Sequence, residues 1–460
     1  MAREGAKVAG EVAELAAADD AWAVRLREVP WPGLRGLQPV VLPAIAAVLE
    51  GAAAERVIDR LLRGRRDLAP AQRTAVVEAI FGVALWRRRL AWHAEPLPDR
   101  AAPLPNRAAP LPDRAAPLLF SLLRDLAGVP EELAAELSGL DGPRPPLRDP
   151  PGPIALRWSF PDWIADTFAR DFGAEASALC AALNAPGPIC LRANALKTTR
   201  DELAALLAGE GVRTRPGRWS PLALIVEGGR PNIYGLRAHQ QGLFEVQDEG
   251  SQLLGLLVGA RPGETILDLC AGAGGKTLLL AGELAARGPA SAASASSAAS
   301  ALHAHDVDGE RLGRLRLRAD RAGVRGLQLH HGVLPDALRC DAVLIDAPCS
   351  ELGSLRRGPD LRFRLSPDQA CAFPPLQLRL LEQAARHLRP GGRLVYATCT
   401  LRREENEEVV AAFLTAHRSF RLRPTAPAGV PARMIRAGLF KSLPHLHGTD
   451  GFFAAVLDSA

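Results

Sequence analysis

Lysine is nearly missing from this chain of 460 residues: Lys7, Lys197, Lys276 and Lys441 stand against 52 Arg. Such an imbalance reads as the codon bias of a GC-rich genome rather than as a functional signal, so a lysine kept inside a glycine-rich loop, Lys276, draws interest. Cysteine is sparse as well. Seven residues without a CxxC pair exclude a disulfide scaffold and make a zinc site unexpected, with a reducing cytoplasm as the default compartment. No run of 18 apolar residues occurs, which excludes a membrane-spanning helix. The N-terminal stretch has early acids and no continuous apolar core, which predicts no secretory signal.

What is present suits a folded enzyme. A hydrophobic fraction of 48% and a charged fraction of 23% supply more than one core. At about 150 residues per domain the length predicts roughly three domains. The net charge of +5 permits a polyanionic partner without requiring one.

The organisation follows from local patterning. Residues 44–62 and 72–92 place apolar side chains at helical spacing, with Arg63, Arg65 and Arg66 between them and Arg87, Arg88 and Arg89 near the end. Two helices joined by an Arg-rich turn could face RNA, and a solvated face fits the charge equally. A tandem repeat of the type PLPDRAA fills 96–118, where its proline density predicts an extended linker. A helical return follows at 117–137. Residues 154–245 read as mixed α/β, with a helical pattern from Phe160 to Leu183, strands near 189–193, 222–226 and 242–246, and a helix at 200–209. From 246 to 460 strands alternate with helices. The strands fall at 265–269, 302–306, 326–330, 342–346 and 393–397, which predicts a doubly wound parallel α/β sheet with its ligands at the strand carboxyl ends. A Ser/Ala-rich stretch at 290–299 reads as a surface insertion.

The sharpest motif is an apolar strand running through Asp268 and Leu269 into Cys270, Ala271, Gly272, Ala273, Gly274, Gly275 and Lys276, and on into a helix. Glycines let backbone approach a ligand, and a helix start favours anionic groups. Two classes compete. A phosphate-binding P-loop matches Gly275-Lys276-Thr277 but needs glycine where Cys270 stands. A methyltransferase loop that cradles S-adenosylmethionine fits better. Asp306, at the end of the next strand, can accept ribose hydroxyls, with Asp308 a near competitor. Asp346 ends the fourth strand and is followed by Pro348-Cys349; the fifth strand leads to Thr398-Cys399. Two cysteines at strand ends on one rim of a sheet differ from the usual inert core cysteine.

On these motifs the chain resembles the Sun-type RNA cytosine-carbon-5 methyltransferases, in their bacterial ribosomal RNA branch. The resemblance also rests on Gln247-Asp-Glu-Gly-Ser-Gln252, Leu355-Arg-Arg-Gly-Pro-Asp360, Glu404-Glu405-Asn406 and His447-Gly-Thr-Asp-Gly-Phe-Phe453. It implies three parts: an all-helical NusB-like RNA-binding domain over 1–145, a small α+β RNA-side subdomain over 154–245, and a Rossmann-like methyltransferase domain over 246–460. The cofactor implied is S-adenosylmethionine, held by the loop 270–276, Asp306 and Asp346. Implied too is a covalent mechanism on a single-stranded or flipped-out cytosine, with Cys399 adding to carbon 6, Cys349 assisting release and Asp346 holding the base. Small-subunit ribosomal RNA is the expected substrate and transfer RNA the alternative. Arg356, Arg357, Arg362 and Arg364 are candidate phosphate contacts. No metal and no membrane partner is implied. The chain departs from the family at Gly272-Ala273, at Val333 where an adenine-holding acid is usual, and at Glu351 where glycine is usual.

Overall fold

The periodic apolar stretch over 44–62 forms not one helix but two, α1 (Gln38–Leu49) and α2 (Ala54–Gly64), because Gly51 between them takes φ 109°. The computed structural model describes residues 25–94, 114–229, 231–285, 300–424 and 427–460. Most of the proline-rich repeat and all of the 290–299 stretch lie outside these residues. Two compact units emerge: one of 1–186 with Leu355–Pro367, the other of Gly187–Ser354 with Asp368–Ala460. Among the described residues no helix is long and apolar enough to cross a membrane.

The first unit is helical. Its axis is α3 (Pro70–Ala94), which buries Val76, Ile80, Val83, Trp86 and Leu90. Helices α4 (Ala115–Ser121) and α5 (Glu131–Ser138) realise the predicted return, parted by Gly128 at φ 68° and Pro130. Helices α6 (Asp162–Phe172) and α7 (Ala176–Asn184) also belong here. Sequence patterning assigned them to the 154–245 subdomain; packing draws them to α3. Trp158 is fully buried with its ring centroid 6.3 Å from that of Trp86, and Arg88 pairs with Asp162 at 2.8 Å.

The second unit holds two sheets. Strands β1 (Cys190–Ala193), β2 (Thr214–Pro216), β3 (Ala223–Val226) and β4 (Phe244–Val246) form an antiparallel sheet in the order β2-β3-β1-β4. Helix α8 (Arg200–Gly209) starts on a capping box between Thr199 and Glu202 and buries Leu203 and Leu207. Helix α9 (Glu249–Leu256) then leads to the larger sheet.

That sheet has a parallel middle: β5 (Thr265–Asp268), β6 (Ala301–Asp306), β7 (Leu327–His331), β8 (Cys340–Asp346) and β9 (Leu388–Thr398), ordered β9-β8-β5-β6-β7. All five agree with the strands read from the sequence. Helices α10 (Gly275–Ala285), α11 (Gly309–Ala322), α12 (Phe373–Arg386) and α13 (Glu407–Ala416) cover it. Alternate strand residues serve opposite faces: Ile266, Leu344 and Val395 face one core, and Leu267, Val343 and Leu394 the other. Strand order reverses between β5 and β8, so the loops after these strands open a crevice at the carboxyl ends. Beyond β9 the sheet continues antiparallel through β10 (Phe420–Leu422), β11 (Ile435–Arg436), β12 (Leu439–Ser442) and β13 (Phe452–Ser459), an extension the sequence reading did not contain.

Candidate active site

The two cysteines meet. Strands β8 and β9 run parallel with Asp346 opposite Ala397, so the residues that follow leave the same edge of the sheet. Cys349 Sγ lies 3.4 Å from Cys399 Sγ. Cys349 is buried and Cys399 partly exposed. The contact with Cys399, then burial, push the Cys349 thiol well above the usual range, with the Glu405 charge adding to the effect. Either sulfur can be the donor in this contact, and the raised pKa of Cys349 favours its thiol form. Burial pushes Cys180 and Cys340 up to about 12, and Cys270 rises further through burial and the charges of Asp268, Asp346 and Asp306.

Asp346, at the end of β8, receives the Lys276 ammonium at 2.5 Å. Lys276 is itself buried, so the glycine loop and the cysteine rim are joined by an ion pair. An ammonium committed to a carboxylate weakens the phosphate-binding alternative for this loop. Within the loop, Gly272 and Gly274 take φ 56° and 87°. A Cβ on Gly274 would come within 2.0 Å of Leu315 Cδ1, whereas one on Gly272 would meet nothing within 4 Å. Both conformations favour glycine; a side chain at 274 would also displace the buried Leu315, whereas one at 272 would face open space. Asp306 fixes the loop: its carboxylate accepts the Gly272 and Asp308 N–H groups, each at 2.8 Å. Asp308 serves elsewhere, capping α11 through the N–H groups of Glu310 and Arg311.

Asp268, at the end of β5, precedes the glycine loop. It is buried, accepts the Thr277 hydroxyl at 2.7 Å, and burial pushes its carboxyl up to about 7. Val307 and Val333 follow the ends of β6 and β7, 77% and 85% exposed, two bare apolar side chains beside the loop. These features fit S-adenosylmethionine: an acid with free lone pairs for a ribose, open space over Gly272, and apolar surface for an adenine where Val333 replaces the usual acid. Glu351 adopts φ 57°, the left-handed conformation that accounts for the glycine usual there.

Two other signature motifs prove architectural. The Glu249 carboxylate accepts the N–H groups of Trp219 and Ser220, Asp248 caps α9, and Ser442 Oγ donates to the Asp450 carbonyl at 2.7 Å. The two motifs adjoin, since the Asp450 N–H donates to Asp248 at 3.2 Å.

The four candidate RNA arginines fall in the Leu355–Pro367 stretch, within the helical unit rather than the sheet unit. Arg362 departs from the expectation. It has no exposed surface, stacks its guanidinium 3.8 Å from the Phe160 ring centroid and donates to Asn184 Oδ1 at 2.7 Å. It is a packing residue, unable to reach a phosphate. Arg357 and Arg364 are exposed, Arg364 with an ion pair to Asp360 at 3.2 Å, and Arg356 donates to the Pro186 carbonyl at 3.2 Å. The N-terminal arginines are similarly occupied: Arg63 pairs with Asp59, Arg65 with Asp67, and Arg87 stacks on Phe363.

Comparison with known proteins divides the chain elsewhere, since one match takes in α6 and α7 together with β1–β3. Residues 256–458 match the family 16S rRNA methyltransferase RsmB/F, and residues 160–232 match an RsmF/B-like ferredoxin-like domain. The probable ribosomal RNA small subunit methyltransferase B of Synechocystis sp. is 36% identical over 67% of this chain and 68% of its own. Its Bacillus subtilis counterpart is 32% identical over the same shares. Among solved structures, a methyltransferase homolog protein from Pyrococcus horikoshii is 27% identical with a TM-score of 0.56, covering 67% of this chain and 98% of that one.

Proposed function

The chain belongs to the 16S rRNA methyltransferase RsmB/F family, and on that premise we propose that it methylates carbon 5 of a cytosine in small-subunit ribosomal RNA with S-adenosylmethionine. The observation that carries this reading is the 3.4 Å approach of the Cys349 and Cys399 sulfurs beside the Lys276–Asp346 pair.

Carbon 5 of cytosine is a weak nucleophile. The Cys399 sulfur, as thiolate, bonds to carbon 6, and the electrons of the 5,6 double bond move toward carbon 5. Asp346 faces the ring nitrogen and exocyclic amine and stabilises the protonated adduct, while Lys276 fixes the orientation of its carboxylate. Bound S-adenosylmethionine supplies the electrophilic methyl that carbon 5 takes up. Cys349 then acts. Contact with its partner is the first cause of its raised pKa, so once the Cys399 sulfur is bonded to carbon that cause disappears. Cys349 then releases its proton to water and, as thiolate, takes the proton on carbon 5. The double bond re-forms, the sulfur–carbon bond breaks and Cys399 leaves as thiolate. A paired base cannot present carbon 6, so the target is unpaired or flipped out.

Bisulphite sequencing of small-subunit RNA from cells with and without the gene tests the assignment. A single protected cytosine that loses protection without the gene is expected; unchanged protection throughout contradicts it.

A further inference from the structure

The residues that follow the two cysteines share one buried anchor. Ser350 and Thr400 bring their hydroxyl oxygens to 2.7 Å. Behind them lies Glu405, without exposed surface. Its Oε2 accepts the Ser350 N–H at 2.9 Å and the Gln377 amide at 3.1 Å. Its Oε1 accepts the Ser350 hydroxyl at 2.5 Å and the Arg402 guanidinium at 3.1 Å. Both oxygens are thus doubly occupied, with one cation to balance the charge. Gln377 also donates to the Pro348 carbonyl at 3.0 Å, just before Cys349. On the other side, Asn406 accepts the Thr398 hydroxyl at 2.7 Å and donates to the Thr400 carbonyl at 3.1 Å, bracketing Cys399.

A buried carboxylate costs several kcal/mol to desolvate, so its donors are held firmly. Here one donor residue, Ser350, adjoins Cys349, and it touches the hydroxyl of the residue adjoining Cys399. We propose that Glu405 is a positioning residue that sets the separation and mutual orientation of the two thiols. This rests on reading those thiols as the reacting pair. Glu405 touches neither the base nor the cofactor loop. It acts through Ser350 and Thr400, and its charge also helps to keep Cys349 protonated.

Oxidation by diamide reads the sulfur geometry without RNA. The two thiols lose two hydrogens to diamide and form a disulfide, which peptide mass spectrometry identifies as Cys349–Cys399. The expected result is rapid closure in the wild type and about tenfold or slower closure in Glu405→Gln, with S-adenosylmethionine affinity unchanged. The pH midpoint for iodoacetamide alkylation of Cys349 should also fall in Glu405→Gln, a change that general loosening would not produce. If that variant does not fold, Ser350→Ala with Thr400→Val serves in its place and should slow closure too. Wild-type closure rates in a folded variant overturn the proposal. Closure that depends on Glu405, in a wild type that never bonds to RNA, upholds it and sinks the cytosine reading instead.

Discussion

The peptide N–H of Gly353 donates to the carbonyl oxygen of Cys399 at 2.9 Å, so the turn after Cys349 is tied to the second cysteine itself. The Gly353 carbonyl in turn accepts the Gly451 N–H at 2.8 Å. A Cβ on Gly353 would lie 2.1 Å from Gly451 O and 2.8 Å from Cys399 O, both backbone atoms. Gly353→Ala should therefore push the loops apart, costing about 1–3 kcal/mol of stability and adduct-forming activity with it. Denaturant unfolding and RNA trapping measure the two losses; a stable, active variant would show the approach to be dispensable.

Asp268 predicts a pH dependence. Its folded pKa, about 7, lies above the unfolded carboxylate value. The protonated acid is the favoured folded form, so its stabilisation is full below the unfolded pKa and is lost as pH rises toward 7. Three units correspond to something on the order of 4 kcal/mol. Asp268→Asn mimics the neutral acid. It should raise the thermal midpoint at pH 8 and leave it nearly unchanged at pH 4; equal effects at both would refute the assignment.

Asp306 accepts two backbone N–H groups, that of Gly272 in the loop after β5 and that of Asp308 after β6. In Asp306→Asn one acceptor becomes a donor facing an N–H. S-adenosylmethionine affinity should fall about 10–100-fold by calorimetry, the loss expected for a charged hydrogen bond. Unaltered binding would place the cofactor elsewhere.

The arginines separate into two kinds. Arg362→Ala removes a buried stack on Phe160 and strands Asn184, and should cost about 2–4 kcal/mol of stability. Arg357→Ala and Arg364→Ala, at exposed positions, should leave stability intact, weaken RNA binding and flatten its salt dependence by about 0.7 per lost phosphate contact. Binding titrations at several salt concentrations distinguish them, and a steep slope retained in both would remove these arginines from the interface.

Four of the five parallel strands are apolar runs whose ends are marked by chemistry, Asp268, Asp306, Asp346 and Cys399; β7, leading to Val333, has no such mark. The cysteine rim followed once two such ends were neighbours. The antiparallel strand β13 was not legible, since its apolar residues Phe452–Val456 carry no hint of pairing with β9. Arg362 was misread because burial comes from Asn184, 178 residues away in sequence, and from Phe160. Glu405 was visible only as part of a motif; its partner Ser350 lies 55 residues earlier. Local pattern reveals strands and their ends. Long-range pairs decide which polar residues are buried.

In the proposed mechanism Cys399 forms the bond to the base and Cys349 lets it break. RNA substituted with 5-azacytidine, which halts the reaction after addition, tests it by denaturing gel. The wild type should yield a covalent complex and Cys399→Ala none. On unsubstituted RNA, Cys349→Ala should accumulate the complex that the wild type resolves. A complex that survives in Cys399→Ala and vanishes in Cys349→Ala would reverse the roles and contradict the account.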